Sequence, residues 1–221
     1  MLPRVVIHNA VSVDGRIDWF TPNIDKFYDL TSTWAEEATL AGSDTLLGAY
    51  AETQESSEFD EPFQKDPDDT RPLLIVPDSK GRLRIWHLLR KEPYWRDAVA
   101  LCSESTPKEY LEYLKKMNVE YIIAGDEKVD FRGALEEINN RYKINNVRVD
   151  SGGTLNGILL RAGLVDEVSV LIHPFLVGGM TPSSLFRAAD LISTEGVISL
   201  KVIKINLIEP DLIWMRFEVL K

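Results

Sequence analysis

The chain has 221 residues, 44% of them hydrophobic, so it can bury roughly 70% of its unfolded surface and needs no covalent staple. A formal net charge of −10 and a pI near 4.9 argue against a nucleic-acid partner, which would require a basic face. The single cysteine, Cys102, excludes an internal disulfide and a multi-cysteine metal site and suggests the reducing cytoplasm.

No apolar run reaches the length of a membrane span, and the N-terminus passes directly into a strand-like segment, unlike a signal peptide. Arg4 to Val11 is β-branched and reads as a first buried strand. It ends in Asn9-Ala10-Val11-Ser12-Val13-Asp14-Gly15-Arg16, where polar residues are candidates for substrate contact because open α/β sheets bind ligands beyond the carboxyl ends of their strands. Asp14-Gly15 also suits an ordinary turn. Phe27, Leu30, Trp34, Ala38 and Ala41 trace a helical stripe with Asp25 as its N-cap, and the stripe suits core packing better than a cofactor box. Ser43 to Gly48 reads as the second strand, ending in glycine.

Residues 50 to 71 form a long acidic loop, either a flap near the substrate or plain solvated chain. Leu73 to Val76 is a third strand, followed by Pro77-Asp78-Ser79 and the basic segment Lys80 to Arg84. The α/β rhythm continues with a strand at Ala98 to Cys102, a helix from Pro107 to Met117, a strand at Glu120 to Ala124, and a helix from Phe131 to Tyr142 capped by Asp130. Ser103 and Gly125 follow strands, so both are placed to face a cofactor.

From Asn146 onward a short apolar run breaks at Asp150-Ser151-Gly152-Gly153 and resumes from Thr154 with Leu155, Ile158, Leu159 and Ala162 on one helical face. A strand from Glu167 to Ile172 follows Gly163, so the stretch reads as a βαβ crossover. The two glycines allow backbone amides to approach an anion such as a phosphate at a helix N-terminus, or they make a tight turn. Val197 to Glu209 and Leu212 to Leu220 flank Glu209-Pro210-Asp211 as a terminal antiparallel hairpin. The histidines His8, His87 and His173 lack metal-ligand spacing, so no metal site is expected, and Gly-x-Ser-x-Gly and Gly-x-Gly-x-x-Gly are absent.

The string VDSGGTLNGILLRAGLVDEVSVLIHPFLVGG resembles the C-terminal signature of the riboflavin-biosynthesis reductase family, the dihydrofolate-reductase-like RibD C-terminal domain. Gly163-Leu164-Val165-Asp166-Glu167, Pro174 and Gly178-Gly179 stand in the family's order, while Asp150 and Ser151 replace its usual Glu and Gly. The resemblance implies one reductase domain over residues 1–221, α/β, with a mostly parallel central sheet, helices on both faces and a C-terminal antiparallel hairpin. It implies NADPH-dependent reduction of the ribosyl group of a (di)aminopyrimidine ribosylamine 5′-phosphate to the ribityl form. A same-fold reductase of a dihydropterin and a non-catalytic nucleotide-binding protein are the alternatives. Asn9, Ser12, Asp14 and Gly15 match the family's Ala-Met-Ser-Leu-Asp-Gly-Lys-type string, with Arg16 for its Lys. The resemblance therefore makes Asn9, Ser12, Gly15 and Arg16 substrate contacts. Asp14 becomes the candidate proton-managing residue, with a raised pKa at a dry strand end. The cofactor is expected against Gly48, Ser79, Ser103, Asp150, Ser151, Gly152, Gly153, Thr154 and Leu155. A threonine that the family places after its second strand has no clean counterpart, since Ala51 stands at the expected place and Thr53 lies beyond it. Lys80, Arg82 or Arg84 either reads a 2′-phosphate or belongs to a solvated basic loop. The zinc-deaminase signature of bifunctional relatives is missing, and a homodimer is expected, paired through the hairpin with Trp214, Met215 and Phe217.

Overall fold

The computed structural model describes residues 1–51, 65–66, 68–180, 183–209 and 211–221. Most of the acidic loop, and with it the flap reading and Thr53, lies outside the described residues, as does Pro210 of the hairpin turn. In chain order the elements begin β1 (Arg4–Ser12), α1 (Ile24–Asp29), a 3-10 turn (Leu30–Trp34), β2 (Ala38–Leu40), α2 (Ser43–Ala49), β3 (Leu73–Pro77) and α3 (Trp86–Leu89). They continue β4 (Asp97–Cys102), α4 (Lys108–Lys116), β5 (Glu120–Ile123), α5 (Phe131–Tyr142), β6 (Asn146–Val149), α6 (Gly153–Arg161), β7 (Glu167–His173), a 3-10 turn (Thr194–Gly196), β8 (Leu200–Glu209) and β9 (Leu212–Val219). These fall into two compact units, one of residues 1–3 and 37–145, the other of 4–36 and 146–221.

In the first unit β5, β4, β3 and β2 lie side by side, all parallel. Their β-branched and leucine residues bury Leu74, Val76 and Ala100 against Trp86, Leu89, Tyr110 and Leu114. Buried Arg90 is satisfied by Asp97 at 2.8 Å and by the carbonyls of Met117 and Asn118 at 3.0 and 2.7 Å. Two expectations fail here. The helical stripe through Ala41 stops early, because Ala35 takes a left-handed conformation (φ 46°) and Ala38 begins β2. Ser43 to Gly48 is a helix, the seven-residue α2, which follows β2 through Gly42. A short apolar run does not distinguish strand from helix, and Leu46 alone of its leucines is buried.

In the second unit β1 is central, parallel to β6 on one side and to β7 on the other, with Ser12 level with His173. The expected βαβ crossover is present, with β1 inserted between its two strands. The hairpin β8–β9 joins the sheet antiparallel through β7. Its Trp214 is buried, donating Nε1–H to Ser169 Oγ at 2.9 Å, so this side chain packs within its own chain. Asn23, not Asp25, caps α1, its Oδ1 accepting from Lys26 N at 3.1 Å. His8 is fully buried and stacked on Phe27, donating Nε2–H to the Phe27 carbonyl (3.0 Å) and accepting from Ser169 Oγ at Nδ1 (3.0 Å). Burial holds its pKa down at about 4, so it is a neutral core residue. Glu167 is buried and accepts from Arg4, Trp34 and Arg216. Among the described residues no helix is long and apolar enough to cross a membrane.

Candidate active site

At the carboxyl end of β1 the chain makes a closed turn. Ser12 N–H donates to the Arg16 carbonyl (2.9 Å), Gly15 N–H to the Ser12 carbonyl (2.9 Å), and Arg16 N–H to Ser12 Oγ (3.0 Å). Gly15 supplies the left-handed residue this closure needs, with φ +75°. Ser12 Oγ donates to Asp14 at 2.6 Å, and the same carboxylate accepts the backbone amides of Val177 (3.1 Å) and Gly178 (2.7 Å). The Arg16 guanidinium donates to the Gly179 carbonyl. The Asp14 carboxylate thus fastens this turn to the glycine pair that ends the signature string. Those bonds, that of Ser12 first, lower its pKa to about 2. The raised pKa expected for a dry strand end is not found, because the carboxylate is solvent-facing and surrounded by donors. Asp14 stays charged at physiological pH and positions two loops, so holding a proton does not fit it.

The turn between β6 and α6 is built from the same unit. Gly152 is the N-cap of α6 (φ −80°, ψ 172°), with no side-chain cap. Asn9, buried in β1, donates Nδ2–H to the Ser151 carbonyl (2.8 Å) and accepts from Asn156 Nδ2 (2.9 Å), so it positions the turn from beneath. Asp150 accepts from Arg148 Nη1 at 2.8 Å, and buried Arg148 also pairs with Glu36 at 2.5 Å. Burial raises the Glu36 pKa, against the pull of Arg148. Arg148 was not singled out in sequence; its only signal is a charged residue between two valines of a buried strand.

Gly153 departs from expectation. A Cβ there would lie 2.0 Å from the Ser184 carbonyl oxygen, and one at Gly157 would lie 1.8 Å from the Arg187 carbonyl oxygen. A strap of residues 184–188 crosses this face of α6, with Arg187 N–H donating to the Gly153 carbonyl (3.0 Å) and Leu185 N–H to that of Gly15 (3.1 Å). The close approach that makes Gly153 a glycine is by this chain's own backbone. At Gly152 a Cβ would meet only Ile17 Cδ1, at 3.6 Å. Thr154 is exposed at the start of α6, while Leu155 is buried.

In the first unit the shift of β2 changes the reading. Gly42, one residue removed from that strand, is the N-cap of α2 and has no side-chain cap, and Thr45 follows three residues later. That is the strand, glycine, threonine order of the family, displaced toward the N-terminus from where the sequence suggested it. Gly48 sits in the last turn of α2, exposed, with no protein atom within 4 Å of a Cβ, so no contact within the chain requires glycine there. Arg82 Nη2 bonds Ser43 Oγ (3.2 Å) and pairs with Asp44 (2.7 Å), beside the start of α2. Arg84 lies over the rings of Tyr110 and Tyr113, 4.6 and 4.7 Å from their centroids, and bonds the Gly81 carbonyl, a packing role. Ser79 is half-buried and Lys80 exposed. Ser103, buried, shares its hydroxyl with Ser105 Oγ at 3.0 Å.

The chain matches the RibD C-terminal domain family over residues 3–214. It is 30% identical over 188 residues to the 2,5-diamino-6-ribosylamino-4(3H)-pyrimidinone 5′-phosphate reductase of Archaeoglobus fulgidus, covering 81% of this chain and 84% of that one. It is 27% identical to the protein of the same name from Methanothermobacter thermautotrophicus, covering 96% and 97%. Among solved structures, Acinetobacter baumannii RibD superposes with a TM-score of 0.74 at 19% identity. That match takes in all of this chain and 59% of the RibD chain, so the chain spans well under two thirds of that protein. The mostly parallel sheet closed by a C-terminal hairpin is the fold those likenesses share. By this match over nearly its whole length, the chain belongs to the RibD C-terminal domain family.

Proposed function

We propose that the chain reduces the ribosyl group of 2,5-diamino-6-ribosylamino-4(3H)-pyrimidinone 5′-phosphate to the ribityl form with NADPH, a step of riboflavin biosynthesis. The observation that carries this reading is likeness over more than 80% of both chains to reductases of that name. It also favours the diamino substrate over its deaminated counterpart. Both units are taken as one reductase domain of residues 1–221, since the family match runs through both.

The residues present fit a dinucleotide. Each unit offers a strand, a glycine and a helix N-terminus without a side-chain cap, the arrangement that suits phosphate oxygens. Gly42, Ser43 and Thr45 line such a turn in the first unit, and Asp150, Ser151, Gly152 and Thr154 line another in the second. Arg82 and Lys80 are the cations left for a 2′-phosphate. When bound, the reduced nicotinamide supplies a hydride to the sugar carbon that bears the amine. The chain's part is orientation: Asn9 and Arg148 fix the Gly152 turn, while Asp14 and Arg16 fix the loops beyond β1 and β7. We place the protein in the cytoplasm, without a nucleic-acid partner, as a homodimer joined through the hairpin.

The test is NADPH consumption by the purified protein with the diaminopyrimidine ribosylamine phosphate, its deaminated counterpart and dihydrofolate in parallel. Turnover is expected with the first. Turnover with dihydrofolate alone, or NADPH binding with no turnover on any of the three, would overturn the reading.

A further inference from the structure

The loop joining β1 to α1 carries an exposed tryptophan in a backbone conformation that its side chain disfavours. Trp19 has φ +65° and is 84% exposed. A left-handed conformation costs energy for any bulky residue, and packing normally offsets it. Here the neighbours take the packing. Ile17 reaches to within 3.6 Å of where a Gly152 Cβ would be. The Phe20 ring lies 5.3 Å from that of His173 and 5.8 Å from that of Phe175. Asn23 N–H donates to His173 Nε2 at 2.9 Å, and residues 12–16 are closed by the turn that Asp14 fastens. The loop is therefore held at both ends and against the Gly152 turn, and the indole, the largest of its exposed side chains, is left to solvent.

We propose that Trp19 is a substrate-binding residue whose indole stacks on the pyrimidine ring; this rests on the reductase reading above. The loop stands beyond the carboxyl ends of β1 and β7, the edge where α/β sheets take their ligands. A flat, neutral diaminopyrimidinone offers a π-face to an indole, and base–aromatic stacking contributes substantially to binding. That ring is not reduced in the reaction, so both its faces are available, whereas the nicotinamide must present a face to the sugar. The strained backbone is then the cost of presenting the ring before substrate arrives.

Steady-state kinetics and NADPH titration on Trp19→Ala and Trp19→Phe test this. The expected result is a KM for the pyrimidine substrate raised on the order of 10-fold in Trp19→Ala, largely restored in Trp19→Phe, with NADPH affinity and melting temperature unchanged. Trp34, Trp86 and Trp214 are buried and Trp95 is half-buried against the core of the first unit, so substrate added without NADPH should change tryptophan fluorescence in the wild type and much less in Trp19→Phe, where those four remain. An unchanged KM in Trp19→Ala overturns the proposal, as does a loss of NADPH affinity matching the loss for substrate, or a changed oligomeric state with normal KM. If the wild type turns over the substrate and Trp19→Ala does so equally well, only this inference fails. If the wild type does not turn it over, the reductase reading fails with it.

Discussion

Two adjacent glycines carry different duties. Gly153 and Gly157 face the strap, where a methyl group would sit 2.0 and 1.8 Å from carbonyl oxygens that belong to backbone and cannot rotate away. Gly153→Ala should therefore destabilise the fold by about 1–3 kcal/mol, the usual range for overpacking, and lower the melting temperature. Gly152→Ala has room on the protein side, so it should fold normally and lose NADPH affinity by roughly tenfold where the methyl group meets the phosphate. Melting curves and NADPH titrations of both variants decide it, and wild-type melting for Gly153→Ala would refute the packing account. The pair Gly152-Gly153 was legible as a special turn in the sequence. Which glycine faces a ligand was not, because the strap that covers the other lies more than 30 residues downstream. Asp14 is similar: its place at a strand end is written locally, but its donors Val177 and Gly178 are not.

At the scale of elements, those with their own local signals were legible: α5 begins at its Asp130 cap, and β3, β4 and β7 are β-branched or leucine-rich runs between breakers. The region from 24 to 49 was not, since Trp34 is placed by its bond to Glu167 and its ring contact with Trp214, which no local pattern records. With that region goes Gly48, now in the exposed last turn of α2. Gly48→Ala should stabilise the protein by about 0.5–1 kcal/mol and leave NADPH affinity unchanged, whereas Gly48 in the cofactor site would make the same change weaken binding. In β1, burial of His8 gives a pH dependence. Its folded pKa of about 4 lies below the ordinary histidine value of 6.5, so the unfolded chain binds the proton more readily. Stability is complete above pH 6.5 and falls as pH drops toward 4, by roughly 3 kcal/mol from this residue. His173, also shifted down by burial, adds loss of the same sign. Denaturant midpoints from pH 7 to 4.5 should show this slope, and His8→Gln should flatten it; an equal slope in the variant would assign the effect to other groups.

For the whole molecule, the unfinished surface is the hairpin. β8 ends the sheet with ten residues, and an edge strand of that length with apolar side chains invites another chain. Its pairing with β9 sets Leu207 beside Ile213, Ile205 beside Met215 and Val202 beside Phe217. These pairs share one face only because a bulge between Val202 and Lys204 restores the alternation; without it Val202 and Ile205 would point to opposite sides. Lys204 and Asn206 lie on the other face with Trp214, so the apolar side is not the one that covers the core. Ile205 and Leu207 are 58% and 68% exposed, an apolar patch of the kind that marks an interface. The sequence pointed to this hairpin with Trp214, Met215 and Phe217; Trp214 is already committed to Ser169, while Met215 and Phe217 lie on the apolar face beside Ile205 and Val202. The homodimer we propose would close over Val202, Ile205, Leu207 and Ile213. Light scattering should give twice the 25.1 kDa chain mass, and Ile205→Lys with Leu207→Lys should give a folded monomer with an unchanged circular dichroism spectrum. A wild-type particle of 25.1 kDa at micromolar concentration would leave the patch for a different partner. A double variant that stays dimeric would move the interface elsewhere, since two lysines facing their own copies across a two-fold axis would lie too close, in a desolvated surface, for the contact to persist.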